Sequence, residues 1–144
     1  MRRLPRPLAL GLLLGAVFAC QDGTAHSDSS EAAAPSAEPE LVVPHEAADL
    51  MKRPDVVVVD VRTEAEWNRG HLPGATRIGM DRLSDVVAAG EFPAARDQPI
   101  VVYCTVGSRS ARAARFLASR GFTVVHDLHG GIRAWSMSGL PVER

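Results

Sequence analysis

Two runs of the chain, Val56-Val57-Val58-Val59 and Ile100-Val101-Val102, are apolar at every position. A strand with one wet face alternates apolar and polar residues. A strand apolar throughout has both faces covered, as in a parallel sheet between helical layers. Leu41-Val42-Val43 reads as a short strand, Pro44 to Lys52 as a helix with proline in its first turn, and Asp55 to Asp60 as the strand holding the first run. A short helix from Glu64 to Asn68, a turn from Gly70 to Gly74, a strand from Thr76 to Ile78 and a helix from Asp81 to Ala89 follow. Beyond Phe92 and Pro93 come the strand Ile100 to Tyr103, a helix from Ser110 to Arg120, a strand from Thr123 to His126 and a last helix from Ile132 to Ser138. Strands alternating with helices predict an α/β fold with a mainly parallel central sheet. The stretch 41–144 is long enough for one compact domain and too short for two.

The chain ahead of that domain follows other rules. Arg2, Arg3 and Arg6 precede the apolar run Leu8 to Phe18, then Ala19 and Cys20. A basic start, a short apolar core and a small residue describe a secretory leader over 1–19, and the core is too short for an ordinary membrane span. Val17-Phe18-Ala19-Cys20 resembles a bacterial lipobox, which implies acylation of Cys20. Residues 20–40 are rich in Ser, Ala, Pro and Glu, and no large apolar residue appears from Gln21 to Glu40, so this segment reads as a disordered tether. The expectation is a lipid-anchored protein facing the periplasm. Gln21 after Cys20 favours the outer membrane by resemblance to enteric lipoproteins. The alternative is a soluble periplasmic or secreted protein cut near Ala19.

Composition narrows the chemistry. With 16 basic and 17 acidic residues the precursor is close to neutral. No basic stripe marks a nucleic-acid partner. Two cysteines are present, and acylation of Cys20 would leave Cys104 as the one thiol, without a partner for an internal disulfide. In an oxidising compartment a lone thiol is buried, bound to another molecule, or chemically employed. His45, His71, His126 and His129 show no spacing for a metal site with one cysteine, so neither metal nor other cofactor is expected. Nothing in the sequence demands more than a monomer.

Cys104 ends the second apolar run and is followed by Thr105, Val106, Gly107, Ser108, Arg109 and Ser110, then by helix-forming residues. A short loop feeding a helix start converges backbone N–H groups and the positive helix end on one point, which favours thiolate over thiol. In parallel sheets ligands sit beyond the carboxyl ends of the strands, and Asp60-Val61-Arg62 reaches the same rim. The plain alternative is that Cys104 is a small core hydrophobe.

Asp60-Val61-Arg62, Glu66-Trp67, Gly70-His71-Leu72-Pro73-Gly74-Ala75, the Cys104 loop, and Leu128-His129-Gly130-Gly131-Ile132-Arg133-Ala134-Trp135 with Gly139-Leu140-Pro141-Val142 resemble, in this order, a single-domain rhodanese. The resemblance implies a three-layer fold with helices on both sides of the sheet. It also implies that Cys104 accepts sulfane sulfur as a persulfide and passes it to a thiophilic acceptor such as cyanide, a thiol or a protein. The loop's own chemistry agrees, because donor and persulfide are both anionic and N–H groups from Thr105 to Ser110 can stabilise them. Arg109 is expected to steer a small anionic donor, and the hydroxyls of Thr105 and Ser108 to add donors. Many active rhodaneses carry a charged or polar side chain just after the cysteine. Thr105-Val106 departs from this, which points from thiosulfate toward a persulfide, a polysulfide or a protein donor.

Related phosphate-handling enzymes place arginine six positions after the cysteine; here that position is Ser110 and the arginine is Arg109. Phosphatase or arsenate reductase is thus a minor alternative, and a non-catalytic module that binds a partner or carries sulfur is the main one. Asp60 and Arg62 are expected to pair with each other or cap nearby loops, Glu66 and Trp67 to serve their short helix, His71 to fix its turn, and Trp135 to fill the core.

Overall fold

The structure is a computed structural model that describes residues 38–144. The expected leader, the lipidation site Cys20 and most of the tether lie outside these residues. The strands are β1 (Glu40–Val42), β2 (Val57–Asp60), β3 (Thr76–Arg77), β4 (Ile100–Tyr103) and β5 (Val125–Leu128). Between and after them run α1 (Pro44–Leu50), α2 (Glu64–Trp67), α3 (Leu83–Ala88), α4 (Ser108–Ser119) and α5 (Gly131–Met137). The five strands form one sheet in the order β1-β5-β4-β2-β3, every pairing parallel. This is the expected α/β fold, a parallel sheet with helices on both sides.

The two apolar runs occupy the middle of the sheet, where Val57↔Ile100, Val58↔Val101 and Val59↔Val102 lie side by side. Their side chains alternate between faces, as the pleat requires. Val59, Ile100, Val102 and Cys104 pack with Leu83, Leu117 and Phe122, under α3 and α4. Val58, Val101 and Tyr103 pack on the other face with Ala47 of α1, Leu72 and Trp135 of α5. Trp135 is 2% exposed and its Nε1–H donates to the Pro141 carbonyl at 2.8 Å.

Most element boundaries shift by one or two residues from the sequence reading, and three of these shifts bear on the site or the sheet. Helix α4 starts at Ser108, two residues early, because Gly107 takes a left-handed conformation (φ 102°) and serves as its N-cap. Ser108, Arg109 and Ser110 therefore belong to the first turn of a helix and not to the loop. Strand β5 runs on to Leu128 because β1 pairs with it as Glu40↔His126, Leu41↔Asp127 and Val42↔Leu128. Helix α5 starts at Gly131, with Gly130 left-handed before it.

Candidate active site

β4 is the central strand, with β5 on one side and β2 on the other, and its carboxyl end delivers Cys104 to the rim. After β3 the chain crosses back over β2 to lay down β4, so this rim lies where the direction of winding reverses, the usual place for a ligand in an open α/β sheet. Cys104 is 0% exposed and unpaired by any disulfide. It is both a member of the core cluster and the centre of a polar cradle, so the two sequence readings of this residue are not exclusive.

The cradle is made of backbone. The Gly107 N–H donates to Cys104 Sγ at 3.1 Å. Burial pushes the thiol up, but the N–H and hydroxyl of Ser110, with the N–H groups of Gly107 and Val106, outweigh it and hold the thiol below its ordinary value. Ser110 and its neighbours at the start of α4 have N–H groups with no partner inside the helix, so an anion there satisfies donors that are otherwise free. Ser110 is fully buried, with Oγ 3.1 Å from the Gly107 carbonyl oxygen.

A second helix turns the loop carbonyls away. The Ile132 N–H donates to the Cys104 carbonyl at 2.9 Å, and the Arg133 N–H to the Thr105 carbonyl at 3.1 Å. With those oxygens committed to the start of α5, the N–H groups of the loop are left to face the sulfur. Gly131 makes the contact possible, since a Cβ there would meet the Cys104 carbonyl oxygen at 2.4 Å. In the sequence this glycine pair stands before a helix, where two glycines alone are a weak signal of a phosphate loop; the structure shows close backbone approach to Cys104 instead.

Arg109, expected to steer a donor, is engaged. Its guanidinium forms a two-pronged pair with Glu66 of α2, Nη1 to Oε2 at 2.8 Å and Nη2 to Oε1 at 2.5 Å. Arg109 Nη2 also donates to Thr105 Oγ1 at 2.9 Å, and the Thr105 hydroxyl donates to Glu66 Oε1 at 2.6 Å. Glu66 is set in place by its own helix start, where Thr63 is the N-cap and its N–H donates to Glu66 Oε2 at 3.0 Å. The Arg109 pair holds the Glu66 carboxyl far below the usual range against burial, with Thr105 assisting. Glu66 and, more weakly, the neighbouring Cys104 sulfur favour the charged form of Arg109. Glu66 is thus part of the site. Sequence reasoning confined it to α2, because a contact across 43 positions leaves no local signal.

Asp60 and Arg62 do pair, under cover. Arg62 Nε lies 2.9 Å from both Asp60 oxygens and Nη2 lies 2.6 Å from Oδ2, with the side chains 5% and 0% exposed. Arg62 Nη2 also donates to the Gly70 carbonyl at 2.8 Å, tying the rim to the next turn. Behind the pair, Tyr103 Oη accepts the Leu72 N–H at 3.1 Å. Of the other predicted residues, Val106 is 52% exposed and Ser108 is also exposed, both at the lip. The His71 ring stacks on Trp67 with centroids 3.6 Å apart, and its backbone pairs with Glu143.

A cleft of about 470 Å³ is lined by Arg62, Arg77, Asp81, Arg82 and Arg109 among others, and Arg109 is the residue it shares with the segment that follows Cys104. The arrangement as a whole offers a lowered thiol in a ring of N–H donors, with paired arginines at its edge, which is a place to form and hold a sulfur-centred anion.

The sequence matches the Rhodanese-like domain family over residues 43–138. A sulfurtransferase of Allochromatium vinosum is 40% identical over 88 residues, covering 61% of this chain and 78% of the relative. The thiosulfate sulfurtransferase GlpE of Pseudomonas fluorescens is 33% identical over 93 residues, covering 65% and 82%. Among solved structures, a rhodanese-related protein of Thermoplasma volcanium superposes with a TM-score of 0.63 at 29% identity, covering 72% of this chain and 97% of that one. A Rhodopseudomonas palustris protein described as of unknown function and a possible tyrosine phosphatase superposes at 0.65 with 32% identity, covering 73% and 85%.

Proposed function

The chain belongs to the rhodanese-like domain family, and on that premise we propose that it is a sulfurtransferase in which Cys104 is the nucleophile. The Cys104 thiolate attacks the outer sulfur of a donor, a new S–S bond forms, and the donor's own bond to that sulfur breaks. From thiosulfate the leaving group is sulfite; from an organic persulfide it is a thiolate. The product, Cys104–S–S⁻, is an anion one atom longer. A thiophilic acceptor such as cyanide, a thiol or a protein cysteine then takes the outer sulfur and returns Cys104 as thiolate.

The observation that carries this reading is the Gly107 N–H on Cys104 Sγ, backed by Ser110, which makes the thiol a better thiolate despite its burial. Preorganised donors aimed at a developing anion are a large term in such chemistry. Cys104 is fully covered, so access of a donor to the sulfur requires a local rearrangement of the groups around it. A phosphatase reading is disfavoured by Arg109, whose two prongs are taken by Glu66 and are not free to ring a phosphate. The test is cyanide-dependent sulfur transfer by the wild type and Cys104→Ser. The variant should fold and lose turnover; a variant that keeps turnover removes Cys104 from the chemistry.

Placement in the cell belongs to the same proposal and rests on the sequence. Met1 to Ala19 would direct export, and an acylated Cys20 on the segment 20–40 would hold the domain near a membrane surface facing the periplasm. Radiolabelled fatty acid incorporation that Cys20→Ala abolishes is the corresponding test.

A further inference from the structure

Two aspartates are buried near the carboxyl ends of their strands, Asp60 on β2 and Asp127 on β5, and they differ in their surroundings. Asp60 is paired with Arg62. Asp127 forms no ion pair among the described residues, and its Oδ1 is covered without a hydrogen-bond partner. An ionised carboxylate in that position is a buried charge with nothing to offset it, which is far more costly than a buried carboxylic acid.

The register of the sheet sets this group beside the nucleophile. Asp127 lies opposite Val102 of β4, and Cys104 follows Val102 by two residues on the same face of the sheet. With neighbouring strands about 4.8 Å apart and a rise of about 6.6 Å for two residues, the Asp127 and Cys104 Cα atoms are roughly 8 Å apart. That face is the one α4 covers, since Val125, two residues before Asp127, packs there with Ala113, Ala114 and Leu117. Ser110 is fully buried one turn ahead of Ala113 and Ala114 on the same side of α4, which brings its hydroxyl down between the Asp127 carboxyl and the Cys104 sulfur. The other charged groups facing Asp127 are Arg115 of α4 and His129 beyond β5, both exposed. Burial pushes the Asp127 carboxyl up, and Ser110, Arg115 and His129 offset this only in part.

Ser110 has one hydroxyl proton and three acceptors around it: the Gly107 carbonyl at 3.1 Å, the Cys104 sulfur and the Asp127 carboxyl. An ionised Asp127 would draw that proton to itself and would also repel a thiolate. A protonated Asp127 reverses both effects. It donates to Ser110 Oγ and leaves the Ser110 proton for the sulfur, whose charge makes it a better acceptor than the neutral Gly107 carbonyl. We propose that Asp127 is a positioning residue for the sulfur chemistry, a carboxylic acid kept protonated beneath α4 that directs the Ser110 hydroxyl onto Cys104 Sγ. The inference takes its purpose from the sulfur-transfer reading above and its geometry from the sheet register and the packing of α4.

Ultraviolet absorbance of the Cys104 thiolate across a pH titration tests this without any sulfur donor, so its outcome is separate from that of the sulfur-transfer reading. Asp127→Ala should raise the midpoint by about half a unit to one unit, the worth of one hydrogen bond. Asp127→Asn, which is neutral and keeps a donor in place, should titrate close to the wild type. Ser110→Ala combined with Asp127→Ala should titrate where Ser110→Ala alone does, because Asp127 acts through that hydroxyl. A midpoint that falls in Asp127→Ala or Asp127→Asn would reveal an ionised aspartate opposing the thiolate, and an unmoved midpoint in Asp127→Ala would reveal a residue of structure alone; either overturns the inference. Additive shifts in the double variant overturn it as well. If Asp127→Ala does not fold, the infrared difference between wild type and Asp127→Asn decides the matter. The wild type should show the carbonyl stretch of one protonated carboxyl at neutral pH, and its absence overturns the inference.

Discussion

Gly131 lies so close beneath Cys104 that a Cβ on it would come within 2.4 Å of the Cys104 carbonyl oxygen and 2.7 Å of the Thr105 carbonyl carbon. Both obstacles are backbone, so neither can swing aside, and Gly131 also has φ 58°, in the left-handed region. Gly131→Ala should therefore push α5 away from the loop, break the Ile132 and Arg133 hydrogen bonds, and release the carbonyls to turn inward. The loss of stability should be about 2–4 kcal/mol, adding strained φ to overpacking. Urea unfolding measures it. An unchanged midpoint would mean the loop does not depend on this contact.

Ser110→Ala removes a hydroxyl from the sulfur and leaves the Ser110 N–H in place. The lowered thiol of the wild type means that loading rises with pH through a value below that of an unperturbed cysteine, then levels off. In the variant this limb should move to higher pH by about one unit, for roughly 1.5 kcal/mol lost from a hydrogen bond to an anion. Ultraviolet absorbance of the thiolate across a pH titration reads the shift without any donor present. An unmoved curve would assign the lowering to backbone N–H groups alone.

Glu66 links the site to acid stability. Its folded-state pKa is depressed, first by Arg109, from an ordinary value of 4.5. A depressed carboxylate stabilises the fold above its unfolded pKa, and that contribution fades as pH falls below about 4.5 toward the lower folded value. The pair is partly exposed, so the contribution is on the order of 1 kcal/mol after screening. Glu66→Gln should be less stable than the wild type near neutrality, with the difference shrinking toward pH 3. A difference that stays constant over that range would show that the charge is not what matters.

The Asp60–Arg62 pair is buried, and its removal is a different matter from that of a surface ion pair. Asp60→Asn leaves the guanidinium of Arg62 under cover without a counter-charge, which costs about 3–5 kcal/mol. Thermal unfolding should show a large drop, recovered in part by adding Arg62→Met, which removes the stranded charge as well. A loss under about 1 kcal/mol in Asp60→Asn would mean water reaches Arg62 freely.

What could be read from the sequence was whatever local pattern controls. Val56 to Val59 and Ile100 to Val102 announced central strands because both faces are covered, and Cys104 followed as a residue at the carboxyl rim. The start of α4 was misplaced by two residues because Gly107, taken as a loop glycine, is the left-handed cap from which the helix grows. The partners of the loop were not legible at all. Glu66 reaches Arg109 from α2, and Gly131 reaches Cys104 from α5, and both contacts exist only once the chain is folded. The extension of β5 to Asp127 and Leu128 has no local signal for a related reason, since β1 supplies that pairing from the far end of the domain.

The central claim is that Cys104 carries sulfur, and intact mass of the purified protein tests it most directly. After incubation with thiosulfate or glutathione persulfide the wild type should gain one sulfur atom, lose it on addition of cyanide, and show neither change in Cys104→Ser. A reduced, accessible Cys104 that gains no sulfur from either donor, or a Cys104→Ser variant that gains it equally, would contradict the account.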